Sequence, residues 1–310
     1  MARRLRYVPS GGALVEISCR TVQGRLLLRP SPALNEATLG VLARAARLWA
    51  VAVHAFAFLS NHYHLLVWIA DTAQLAAFMG YLNSNLAREA GRLACWREKF
   101  WGRRYQAILV SDEEDAQVGR LAYILAQGAK EGLVASPLDW PGVHCARALA
   151  EGTAVAGRWR SRTLESKALR KGLLLDPEAF VEREELTLTP LPCWQALPPA
   201  EQGDRIRHLI KEIEVSAKLR EEETGKPPLG REAICKQNPH LEPNRMKRGP
   251  APLVHAVAPE VRRALRRAYF SFVDAYRRAA RQLREGVTEI ELPEGAFPPP
   301  RPIRVAARSG

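Results

Sequence analysis

The sequence predicts an α+β fold, and three observations carry the prediction. Short apolar runs alternate with longer helical periodicities over residues 1–150, in the order βαββαβ followed by one more helix. Turn-forming residues punctuate these runs, as in Pro9-Ser10-Gly11-Gly12 ahead of the first strand. The composition, 47% apolar and 25% charged, is that of an ordinary globular chain, and 310 residues leave room for about two domains.

In chain order the reading is a strand at Ala13–Cys19, a helix at Asn35–Trp49, strands at Ala50–Phe58 and His62–Ile69, a helix at Thr72–Leu93, a strand at Tyr105–Val110 and a helix at Glu113–Lys130. That order matches the ferredoxin-like βαββαβ pattern, a four-stranded antiparallel sheet with helices on one face, although order alone also admits other α+β folds. The helix carrying Tyr123 is an addition to the pattern. Residues 151–203 read as a connector with a Pro-rich linker near 187–203 (Pro190, Pro192, Pro198, Pro199). Residues 204–290 read as a mainly helical basic accessory region, and 291–310, containing Pro298 to Pro300, as a disordered tail.

Two helices are expected in the accessory region. Residues 204–223 place Ile206, Leu209, Ile210 and Ile213 on one stripe, which needs a partner to bury it. Residues 259–285 repeat Val261, Leu265, Phe272, Tyr276 and Leu283 opposite Arg262, Arg263, Arg266, Arg267, Arg277, Arg278, Arg281 and Arg284. One face packs and the other is an arginine rail, with Arg266, Arg267, Arg277 and Arg278 as candidate DNA-backbone contacts; a solvated surface is the competing reading.

Charge points the same way. Forty-six basic against 33 acidic residues give +13, and the excess is regional: 1–150 carries 17 basic and 11 acidic residues, while 226–284 carries 14 and 4. Such a distribution favours a polyanionic partner. The longest apolar stretch, Leu48 to Phe58, is interrupted by His54 and is far shorter than the roughly 18 residues a membrane span needs. The basic N-terminus (Arg3, Arg4, Arg6) has no apolar segment behind it, so a cytoplasmic, nucleoid-associated location is expected. Five cysteines at least 42 positions apart offer no ligand pair and are read as reduced. The P-loop, zincin and α/β-hydrolase motifs are absent from the sequence.

The strand His62-Tyr63-His64 puts two imidazoles on one face by its period of 2, with Tyr63, Leu65 and Val67 facing a core. The pair suits a divalent metal, and two structural histidines are the other reading. On the following helix Tyr123, Gln127 and Lys130, four and seven positions apart, share a face. The acidic run Asp112-Glu113-Glu114-Asp115 reads as a complement to the helix dipole rather than as metal ligands.

In combination, Phe58-Leu-Ser-Asn-His-Tyr-His-Leu-Leu-Val67 resembles the "MPNHFHLLV" block of the single-tyrosine HUH transposases, the insertion-sequence-200-like group with its REP-associated relatives. Phe100-Trp-Gly-Arg-Arg-Tyr-Gln-Ala-Ile-Leu-Val110 and Tyr123-Ile-Leu-Ala-Gln-Gly-Ala-Lys-Glu-Gly-Leu-Val134 are similar to its "FqgRfksilV" and "YIhlNPvragLV" blocks. Ser60 stands in place of the usual Pro, and Gly128 and Ala129 in place of Pro and Val. The resemblance covers about residues 1–148. It implies Tyr123 as nucleophile, His62, His64 and Gln127 as ligands of Mg²⁺ or Mn²⁺, and cleavage and rejoining of hairpin-bearing single-stranded DNA through a 5′-phosphotyrosine. Arg103, Arg104 and Lys130 are expected near the DNA, and a homodimer is admitted. A non-catalytic nucleic-acid-binding protein on the same fold is the alternative.

Overall fold

The structure, a computed structural model, describes residues 4–243, 252–287 and 289–297. The chain opens with β1 (Ala13–Arg20), α1 (Pro32–Leu48), β2 (Ala52–Phe58), β3 (His62–Ile69), α2 (Thr72–Leu93), β4 (Gln106–Val110) and α3 (Glu114–Leu125). Local chemistry sets these bounds. Helix α1 begins three residues before the expected Asn35, because the Ser31 hydroxyl accepts the Leu34 N–H and Pro32 supplies a first turn that needs no donor. Helix α2 starts behind Asp71, whose carboxylate accepts the Gln74 N–H at 2.7 Å.

The sheet runs β2-β3-β1-β4-β7, where β7 is Val254–His255. Its first four strands are antiparallel in the expected ferredoxin-like order, with Ser18 opposite His64 and Leu14 opposite Val110. The fifth was not expected. β7 pairs parallel to β4, covering an edge whose backbone groups would otherwise stay unpaired, and two residues are too short a run to show a period.

The faces separate cleanly. Val15, Ile17, Tyr63, Leu65 and Val67 are fully buried on one side with Phe78, Met79 and Leu82 of α2, and the Tyr63 hydroxyl donates to Asn83 at 2.7 Å. Glu16, Ser18, His62 and His64 lie on the other side by strand alternation. Helix α3 lies against the sheet, carrying Tyr123 to the His64 ring on this second face. It stops at Leu125, five residues before the expected Lys130, because Gly128 turns to φ +88° and its carbonyl accepts the Leu133 N–H at 2.9 Å. A Cβ at Gly128 would lie 3.0 Å from the Trp140 ring.

Residues 151–203, expected as a connector, are folded. They follow α4 (Ala146–Glu151) with β5 (Val155–Arg160), α5 (Arg162–Arg170) and β6 (Val181–Leu186). The β5–β6 hairpin sits on α1 through glycines: a Cβ at Gly157 would come within 2.3 Å of the Gly40 nitrogen. Arg44 and Arg47 of α1 pair with the buried Glu184 of β6 at 2.6 and 2.7 Å. Nor does the Pro-rich stretch hang free. Thr189 N–H donates to the Val53 carbonyl at 2.9 Å, and Leu191 and Trp194 are buried in the main core. Prolines marked the absence of regular structure here, not the absence of packing.

Three further helices follow: α6 (Pro199–Thr224), α7 (Arg231–Lys236) and α8 (Pro259–Arg284). Helix α6 buries Ile206 and Ile210 and turns Leu209 and Ile213 toward α3. Helix α8 buries Tyr269, Phe272 and Val273 against Leu5, Tyr7 and Leu253, so its packed stripe is centred on the middle of the helix, and Val261 and Leu283 of the expected stripe are only half-buried. The acidic run at the start of α3 helps hold these segments: Glu113 accepts the N–H groups of Val257 and Ala258 at 3.0 and 2.8 Å, and Glu114 pairs with Arg205 at 2.9 Å. Of the expected tail, 291–297 is docked, with the Thr72 hydroxyl donating to the Gly295 carbonyl, and 298–310 lies outside the described residues. Among the described residues no helix is long and apolar enough to cross a membrane.

Candidate functional site

The second face of the sheet gathers the site. The rings of His62 and His64 lie 5.2 Å apart at 81°, and the Tyr123 ring is 5.4 Å from His64. Strand β3 places the histidines by alternation, and α3 brings Tyr123 across from above them. The Lys130 ammonium stands 3.4 Å from the Tyr123 ring centroid and the Arg120 guanidinium 4.7 Å from it. Two cations therefore border the tyrosine ring. Lys130 reaches the ring from the glycine-rich turn after α3 rather than from the helix itself.

Both histidines are held through Nδ1. Asn61 Oδ1 lies 2.7 Å from Nδ1 of His62, and Glu16 Oε1 lies 3.1 Å from Nδ1 of His64. Anchoring Nδ1 on an oxygen leaves Nε2 as the ring nitrogen that could coordinate a metal. Gln127, 1% exposed, donates from Nε2 to the Tyr123 carbonyl at 3.0 Å, so Oε1 is the atom of this amide that could face a metal. Among the described residues there is no group of three or more His, Cys, Asp or Glu side chains placed to hold a metal, so a site of the expected type depends on this amide. Two imidazole nitrogens with an amide oxygen form a donor set that fits Mn²⁺ or Mg²⁺, Mn²⁺ accepting imidazole more readily.

Glu16 is the residue that sequence reasoning missed. Only 4% exposed, it meets His64, His255 Nε2 at 2.7 Å and Arg120 Nη1 at 3.5 Å. Burial alone would push its carboxyl up, but hydrogen bonds from His255 and His64, and their charge, hold it well below the usual carboxylate range. A lone acid inside the apolar run Leu14-Val15-Glu16-Ile17 was the available signal. Nothing local in the sequence links it to His255.

Arg103 and Arg104 are exposed just before β4, and Arg104 donates to the Arg4 carbonyl. Arg266, Arg267, Arg277 and Arg278 are exposed on α8. Burial pushes the Tyr269 phenol up, against the charges of Arg4, Arg104 and Arg277. Trp101 belongs to the packing, its indole donating to the Asn83 carbonyl at 2.9 Å, and Trp96 is half-buried against His240. A cavity of about 340 Å³ opens between α3 and α6 beside Tyr123, lined by Ala122, Ala126, Leu209, Ile213, Lys130 and Arg220 among others.

Residues 31–127, the stretch that holds β2, β3, both histidines and Tyr123, match the family described as "Transposase IS200 like". Over these 97 of its 310 residues the chain is similar to IS200-like transposases. Among solved structures, the chain is similar to a REP-associated tyrosine transposase bound to a REP hairpin, with 16% identity over 49% of this chain and 86% of that one and a TM-score of 0.41. It is also similar to a protein of Deinococcus radiodurans R1 assigned as a transposase, with 17% identity over 40% of this chain and 96% of that one and a TM-score of 0.28. No curated protein matches the chain. The IS200-like match stops at Gln127, so the elements from α4 onward, including His255 and the arginines of α8, lie beyond it.

Proposed function

We propose that the protein cleaves and rejoins single-stranded DNA by transesterification at Tyr123. The observation that carries this reading is the meeting of Tyr123 with His64 at 5.4 Å, His62 alongside and two cations against the tyrosine ring. A phenol with a reference pKa near 10 is a weak nucleophile at neutral pH, and positive charge placed before the reaction lowers the cost of the developing anion. In the step, the Tyr123 oxygen forms a bond to phosphorus in line with the scissile P–O3′ bond. That bond breaks, and the departing 3′-oxygen takes up a proton as the phenol gives one to solvent. The 5′-phosphotyrosine retains the ester energy, so a second 3′-hydroxyl can reverse the step and join new ends without ATP.

His62 and His64 through Nε2 and Gln127 through Oε1 would hold a divalent ion, Mg²⁺ or Mn²⁺, which when bound supplies positive charge at a phosphate oxygen. Lys130 and Arg120 stand beside the tyrosine ring, and the sheet face around His64 keeps Glu16 out of water. Arg103, Arg104 and the α8 arginines lie where an extended strand or a hairpin stem would meet positive charge. A REP-hairpin partner is the substrate class suggested by the solved relative. The α8 rail taken by itself would also serve a nucleic-acid-binding protein with no catalysis.

One experiment separates the two. Incubated with Mn²⁺ and a single-stranded oligonucleotide flanking a hairpin, the protein is expected to form an adduct that survives a denaturing gel, and Tyr123→Phe is expected to abolish it. An adduct that persists in Tyr123→Phe assigns the nucleophile elsewhere, and no adduct from the wild type on any hairpin-flanked strand favours the non-catalytic binder.

A further inference from the structure

His255, far beyond the end of the IS200-like match, reaches into the site. His255 lies on β7, paired beside Val110 of β4, and on a parallel ladder neighbouring residues share a face. Its side chain thus projects over the same surface as Glu16 and His64, and Nε2 comes to 2.7 Å from Glu16 Oε2. The other oxygen of that carboxylate is 3.1 Å from Nδ1 of His64. Arg120 Nη1 approaches Oε2 at 3.5 Å from α3, three residues before Tyr123, and stands 4.7 Å from its ring.

Resting on the strand-transfer reading, we infer that His255 is a positioning residue of the tyrosine site: with Arg120 it clamps the Glu16 carboxylate, which fixes the His64 ring with Nε2 presented to the metal. The assignment follows from donors and acceptors. A carboxylate at neutral pH only accepts, so the nitrogens facing Glu16, Nδ1 of His64 and Nε2 of His255, carry the protons. Arg120 Nη1 stands 3.4 Å from His255 Nε2, within hydrogen-bonding reach, and 3.5 Å from Glu16 Oε2 as an ion pair, so it joins the imidazole and the carboxylate in one cluster. Glu16 is 4% exposed and His64 7%, so neither has bulk water available as a substitute partner. Without His255 the carboxylate loses its shortest contact and can swing away from His64, freeing that ring to adopt the other tautomer.

The clamp makes the site depend on a strand 127 residues beyond the end of the family match at Gln127, since β7 begins at Val254. It also links the site to α8. Val257 and Ala258, directly after β7, are fastened by Glu113 at the start of α3, so β7 is pinned between the tyrosine helix and the arginine helix.

The test uses the full chain with ¹⁵N-labelled histidine. In the wild type the His64 resonances are expected to report the Nδ1–H tautomer when the ring is neutral. His255→Phe, which keeps the ring volume and removes the donor, is expected to mix the tautomers. It should weaken Mn²⁺ binding, read by loss of the free-ion paramagnetic resonance signal, about 10- to 100-fold. At saturating oligonucleotide the rate of adduct formation should fall, with affinity for the oligonucleotide within about twofold of wild type, because the effect lies on orientation rather than on DNA contacts. His255→Gln, whose amide N–H can reach Glu16, should recover most of the loss. An Nε2–H tautomer at His64 in the wild type overturns the clamp, and that spectrum decides even if His255→Phe does not fold. Unchanged Mn²⁺ affinity and rate in folded His255→Phe overturn it as well. A wild type that makes no adduct but shows the predicted tautomer and metal response defeats the strand-transfer reading while supporting the clamp.

Discussion

The two basic regions of this molecule treat charge in opposite ways. Around Tyr123 the charged groups are few, buried or half-buried, and mutually fixed: Glu16 alone meets His64, His255 and Arg120 within 3.5 Å. Along α8 the eight expected rail arginines are all exposed, and none of them has an ion pair among the described residues. A buried charge with its partners in place holds geometry, because releasing one partner strands another in a medium of low polarity. An exposed arginine on a flexible stem holds little geometry and is available to a mobile anion such as a phosphate backbone. Substitution should therefore damage chemistry in the first region and affinity in the second.

The sharpest way to break that contrast is at the histidines. His62→Ala or His64→Ala is expected to lower cleavage by about three orders of magnitude or more, with the circular dichroism spectrum intact and oligonucleotide affinity within a few-fold of wild type. A chelator should do the same to the wild type. Robust cleavage in EDTA would show that the imidazoles act without a metal, and an equal loss of affinity would erase the distinction between the regions.

Acid should act on the sheet domain rather than on α8, since arginines do not titrate in the accessible range. Burial drives the His144 imidazole down to about 4, against the pull of the Ile124 and Leu125 carbonyls, and it lowers His54 as well. A histidine whose folded pKa is depressed leaves the unfolded chain holding more protons between the two values. Its stabilisation is thus complete above the unfolded value near 6.5 and is lost as pH falls toward 4. His144 alone should cost about 2 kcal/mol between pH 7.5 and pH 5, measurable by urea unfolding. His144→Gln should flatten that dependence; an equally steep profile in the variant would place the acid sensitivity elsewhere.

The mildest expected effect is on the rail. Replacing Arg266, Arg267, Arg277 and Arg278 by Gln should reduce the slope of log affinity against log salt by roughly 2 to 4 units if all four meet phosphate, at about 0.7 to 0.9 per contact. Stability should change by less than about 0.5 kcal/mol, as for exposed positions generally. Sequence preference should hold, because phosphate contacts position a protein and base contacts specify. An unchanged slope with the fold intact would return α8 to a structural role.

What the sequence determined alone is what local physics fixes. Period-2 alternation put His62 and His64 on one face and Tyr63, Leu65 and Val67 in the core, and β3 and α2 have the bounds read from the chain, His62–Ile69 and Thr72–Leu93. Apolar periodicity and capping residues act within a few positions, so they are visible in one dimension. The end of α3 was misread because a continuous apolar period runs past Gly128, while the turn there is decided by the positive φ of that glycine and by Trp140 packed over it. The docked Pro-rich stretch, the glycine contact of α1 with β5, and the fifth strand share one property: each joins residues far apart in sequence. The same holds for the carboxylate at the site. Glu16 could be noticed as a lone acid in an apolar strand, but its pairing with His255, 239 positions away, arises only when β7 closes the edge of the sheet. Buried charges must find partners wherever the fold brings them, and that choice is made by tertiary packing.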